Sequence, residues 1–216
     1  MDNTTIIGIT SFIIVVLFSL FSAFLLSVKT TKKLSNQLLA GFLIITTVDI
    51  SVFFYHNFIE LPPILEMFRI QISSFKDPLL FLYILSVIYS DFKLKPKHAV
   101  HLIPWIINII ILLPNFFLAS KETQIGFISN FHLTKESYYI SMIGRIIEVI
   151  YIIAELYYLL RYRKLLLENY TSKDAFYNYH WVKQLYRPGL CHLHNASHLQ
   201  PHKLLYLDTP AHMRRS

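Results

Sequence analysis

The residues with the most obvious chemistry lie near the C-terminus, where "LCHLHNASHLQPH", Leu190–His202, holds the only cysteine and four of the ten histidines. Cys191, His194, His198 and His202 are the side-chain types that ligate zinc. The three histidines, spaced by four, share a face only on a continuous helix, and Pro201 opposes a helix there. A structural zinc site pairs a C-x-x-C knuckle with a second knuckle, and no such pairing occurs. The cluster reads as accidental, and no metal or cofactor is expected.

A second set of reactive types is more telling, because it sits inside apolar stretches. Asp49, Lys76, Asp77, Arg145, Glu148 and Glu155 each fall within a run of hydrophobic residues. An ionised side chain in the middle of a bilayer costs roughly 2.5–3.5 kcal/mol on insertion scales, so each needs a partner or a wet cavity. Arg145 and Glu148 are three apart and Glu155 lies seven beyond Glu148, which places all three on one helix face. One reading is a ladder of ion pairs, Arg145 with Glu148 and Lys76 with Asp77 or Asp49, that holds helices together. Another is a polar pocket between the second, third and fifth apolar segments that senses a ligand or a membrane state. A proton or ion path is a third. Glu66 and Arg69 lie nearer the end of the third segment, and His98 and His101 suit a membrane interface. No Gly-rich phosphate loop and no Ser, His and acid set in one compartment is present, so an enzyme is not expected.

The elements that position these residues follow from composition. Of 216 residues 54% are hydrophobic and 15% charged, with mean hydropathy +0.46, whereas a soluble domain carries about 25% charged residues. An all-α polytopic membrane protein is expected. Five stretches are long and apolar enough to predict transmembrane helices, at about residues 6–28, 37–56, 65–90, 98–119 and 139–162. The first lacks the basic flank of a cleaved signal and reads as a retained span. Pro78 and Pro104 predict kinks. Basic residues concentrate in alternate connections: Lys29, Lys32 and Lys33; then Lys93, Lys95 and Lys97; then Arg161, Arg163 and Lys164. Such residues mark the cytoplasmic side, so the N-terminus is expected outside and the tail inside. The formal net charge of +7 therefore reflects topology rather than nucleic acid.

Two stretches carry a resemblance: "DPLLFLYILSVIYSDFKLKPKHAVHLIPWI", Asp77–Ile106, and "YYLLRYRKLLLENYTSKDAFYNYHWVKQL", Tyr157–Leu185. The chain over residues 1–185 resembles bacterial membrane-bound transcription regulators with a multi-span sensor and a cytoplasmic AraC-type helix-turn-helix domain. The first stretch is similar to their third span, basic loop and His-x-x-Pro approach to the fourth. The second is similar to the exit from their fifth span. The resemblance implies signal sensing coupled to transcription at the bacterial inner membrane.

Residues 166–185 are expected to form an amphipathic juxtamembrane segment, opened by Thr171 and Asp174 as a capping box, with Phe176, Tyr177, Tyr179 and Trp181 at headgroup level. Residues 186–216 contain no Ile, Val, Phe, Trp or Glu and five of the ten histidines. They are expected to be a disordered tail, translated in a shifted reading frame. Without a DNA reader, this chain is not expected to bind nucleic acid specifically. Its expected partner is the lipid bilayer, with an unidentified small-molecule ligand and a homodimer left open. The alternatives are a small transporter or channel component, or the truncated membrane sensor of a histidine kinase.

Overall fold

In the computed structural model, each apolar run forms helix because a chain in lipid must satisfy its own backbone donors and acceptors. The structure describes residues 3–169, and side chains from 6 to 164. The helices are α1 (Asn3–Ser27), α2 (Lys33–Ile50), α3 (Pro63–Ile72), α4 (Lys76–Ile88), α5 (Ile103–Leu112), α6 (Lys121–Ser129) and α7 (Lys135–Asn169). The remainder of the expected juxtamembrane segment, beyond Asn169, and the whole 186–216 tail with Cys191, His194, His198 and His202 lie outside the described residues.

Among the described residues, four helical stretches are long and apolar enough to cross a membrane: Ile6–Ser27, Lys33–Phe53, Pro63–Ile88 and Pro96–Phe117. They match the first four expected spans to within a few residues. The fifth, 139–162, is helical throughout within α7 but is not one of the four. The described residues thus hold four candidate spans rather than five. Around them the surface is apolar: Phe12, Ile13, Leu17, Leu20, Phe24 and Leu26 of α1 are all more than half exposed. Apolar exposure on that scale is rare on soluble monomers. The chain is an α-helical protein built for repeated membrane crossing.

The third span shows how a proline shapes a membrane helix. Pro78 sits at the third position of α4, and its ring would clash with the carbonyl four residues back, at Ser74. The helix gives way there to a tight turn, Ser73–Phe75, between α3 and α4. The turn's Ser73 and Ser74 hydroxyls donate to the carbonyls of Ile70 and Gln71 at 2.8 and 2.6 Å. Pro63 opens α3 at its first position, where the missing N–H would have had no partner. Past Pro114 the chain widens at Leu113–Phe117, and buried Gln124 of α6 donates to the Phe116 carbonyl at 3.0 Å.

Helix packing relies on small residues where backbones approach closely. Between α1 and α2, Ser22 and Ala40 are buried, with Leu25 and Leu43 around them. Where α2 meets α4, Gly41 faces Leu79 and the Ser35 hydroxyl donates to the Ser86 carbonyl at 3.2 Å. A third core gathers Met67 of α3, Leu112 and Phe116 of the fourth span, and Phe131 of the segment after α6. Phe81 and Leu85 of α4 pack on Tyr151 of α7.

Candidate functional site

Asp49 lies in the last turn of α2, level with the Ser73–Phe75 turn. There its carboxylate takes the Lys76 ammonium at 2.7 Å, both side chains about a third exposed at 37% and 32%. This is one of the two pairings the sequence allowed for Lys76. The expected partnership of Arg145 with Glu148 is not formed: the ion pairs among the described residues are Lys76–Asp49 and Arg69–Glu66. Arg145 is exposed while Glu148 is half-buried, because the packed face of α7 is set by Glu148, Tyr151 and Glu155, and Arg145 falls to its side.

Asp77 of α4 and the two glutamates of α7 flank, along their helices, the contact between Phe81 and Tyr151. Asp77 on α4 is close enough to both glutamates of α7 for their charges to act on one another. Glu155 is buried, 4% exposed, and Lys76, the nearest cation to Asp77, is committed to Asp49. Beside the acids, Tyr151 Oη and His101 Nδ1 share a hydrogen bond of 2.5 Å. The Phe81 ring lies 5.6 Å from Tyr151 and 5.7 Å from His101. Like charges held together in a low-dielectric interior repel strongly. Among the described residues no three His, Cys, Asp or Glu side chains are arranged to hold a metal.

A second polar centre, at the other end of the third span, joins residues that sequence reasoning left unassigned. Glu66 and Arg69, one turn apart on α3, pair through Nη2 to Oε1 at 2.7 Å, with Arg69 Nε 3.2 and 3.1 Å from the two oxygens. The Tyr55 hydroxyl donates to Glu66 Oε2, and the guanidinium stands 5.3 Å over the Tyr55 ring. All three residues are buried. Burial and the bond to Glu66 push the Tyr55 hydroxyl well above its ordinary pKa, so it remains a donor. His56, its ring 4.0 Å from that of Tyr55, is held below its ordinary pKa by burial. The E-x-x-R spacing was a signal for the pair. Nothing in sequence pointed to Tyr55, which reaches Glu66 only because two short turns, Ser51–Phe53 and Tyr55–Asn57, run back past α3.

An open cleft of about 510 Å³ adjoins this centre. Leu65, Phe68, Arg69, Ile72 and Phe75 line it from the third span, Val48 and Ser51 from the second, and Tyr55 from the turn that follows. Trp105, 5.7 Å from Phe75, borders the end away from Arg69.

Fold and sites together define a multi-pass α-helical membrane protein with buried charge in its helix interfaces. No family model, no curated protein and no solved structure matches the chain.

Proposed function

We propose that this region is a membrane-embedded sensor whose output helix is α7. The observation that carries the reading is the buried Glu155 of α7, set in electrostatic range of Asp77 on α4 where Phe81 and Leu85 pack on Tyr151. A proton taken up there removes a repulsion between two helices, and so shifts how α7 lies on α4. That is the bistable element a switch requires. The same helix leads to Arg161, Arg163 and Lys164, where a displacement is read out. The finer reading, a sensor belonging to a helix-turn-helix transcription regulator of the inner membrane, is supported by the layout of Asp77–Ile106 and Tyr157–Leu185 alone.

The experiment neutralises the group. In a Cys191→Ser background with spin labels at positions 91 and 164, Asp77→Asn with Glu155→Gln is expected to shift the inter-label distance distribution measured by pulsed EPR. An unchanged distribution, in a variant that still folds, sinks the sensor reading.

The proposal also requires α7 to cross the membrane as a fifth span despite its charges. Its exposed residues Met142, Ile146, Ile150, Ile153, Leu156 and Leu160 form a lipid-compatible surface, whereas Glu155 is turned inward. Arg145 and Arg161 are 16 residues apart, about 24 Å along a helix, within snorkelling reach of the two interfaces. With the N-terminus outside, cytoplasmic reporters fused after Lys33, Lys97 and Lys164 should be active, and fusions after Pro63 and Thr134 inactive. An inactive fusion at Lys164 removes α7 from the spans.

A further inference from the structure

We infer that the cleft beside Arg69 binds the single acyl chain of a neutral amphiphile, with a carbonyl or hydroxyl of its head accepting a hydrogen bond from Arg69. This site is separate from the acidic group that carries the proposed sensor function.

Shape and polarity choose the occupant. Leu65, Phe68, Ile72 and Phe75 recur at helical spacing and form one apolar strip over eleven residues of the third span, about 15 Å of axis. One strip of that length suits one chain. The volume of about 510 Å³ falls in the range of about 300–1,000 Å³ typical of small-molecule sites. Trp105 borders the inner end, so a chain lying along the strip has its terminus near the indole.

At the opposite end, Arg69 supplies the directional contact. Its Nε and Nη2 are engaged by Glu66, and Arg69 lines the cleft, where its remaining N–H groups serve as donors. The charge is already cancelled by Glu66 at 2.7 Å. A second carboxylate would gain a hydrogen bond but meet the Glu66 charge, whereas an ester or hydroxyl oxygen gains the same bond without that repulsion. The head group is therefore neutral. The cleft lies along a span, where lipid-soluble molecules arrive from the membrane itself.

The test uses Trp105 as its reporter, in full-length protein carrying Trp181→Phe so that one tryptophan remains. A monoacylglycerol brominated on its chain is titrated into phosphatidylcholine vesicles containing the protein. Quenching is expected to saturate at low mole fraction. A phosphatidylcholine with the same brominated chain should quench only in proportion to its abundance, as bulk lipid does. Ile72→Phe and Leu65→Phe, which fill the cleft from two positions with apolar side chains, should each raise the half-saturating mole fraction by about tenfold. Proportional quenching by the monoacylglycerol overturns the proposal, as does saturation that persists unchanged in a filled variant still showing the native circular dichroism. A brominated fatty acid that saturates about tenfold more tightly than the monoacylglycerol overturns the neutral head.

Discussion

Glu66→Ala is expected to cost about 3–5 kcal/mol, the usual penalty for leaving one member of a buried ion pair alone. The Arg69 side chain is only 7% exposed, and Glu66 is its ion-pair partner and takes hydrogen bonds from its Nε and Nη2. The same substitution strips the Tyr55 hydroxyl of its acceptor. Because single domains are stable by only about 5–15 kcal/mol, the variant should accumulate poorly and melt far below the wild type in detergent. Adding Arg69→Met removes the orphaned charge and replaces it with an apolar side chain of similar length. The double variant should recover most of the lost melting temperature, since a buried pair is weak as a net stabiliser but strong against the loss of one partner. If the double variant is as unstable as the single, the pair itself supplies net stability, and the account of a mutually cancelling pair is wrong.

Phe116→Ala is expected to cost about 3–5 kcal/mol by opening a cavity in a packed core. Phe116 is fully buried, 0% exposed, against Met67, Leu112 and Phe131, with the Phe117 and Phe127 rings 5.1 and 5.5 Å away. It stands where the third span, the fourth span and the segment after α6 meet, so no single helix can close the gap by a rotamer change. The control is Phe24→Ala, at a position 59% exposed on α1. In lipid or detergent a lipid-facing phenylalanine exchanges one apolar neighbour for another, so its loss should leave the melting temperature nearly unchanged. Equal losses for the two variants would show that the Met67–Phe116 cluster is not a packed core.

The apolar runs alone determined the all-α class and four of the five expected spans, because a bilayer admits few backbone solutions and sets their length. The break at Pro78 was equally local, since a ring clash acts within one turn, and at Pro104 the chain passes from the tight helix Pro96–Leu102 into α5. The partners of the buried charges were not local. Sequence spacing puts Arg145 near the face of α7 that carries Glu148, yet it cannot say how that helix is rotated against α4. Packing of Tyr151 and Phe81 settles the rotation, turning Glu155 inward toward Asp77 and leaving Arg145 exposed. For Lys76, spacing left both Asp49 and Asp77 open, and the level at which α2 meets the third span chose Asp49. Tyr55 reaches Glu66 only through the path of two short turns outside any regular period. Helical periodicity fixes angles about one axis, whereas the axial rotation and relative height of neighbouring helices come from side chains distant in sequence meeting in space.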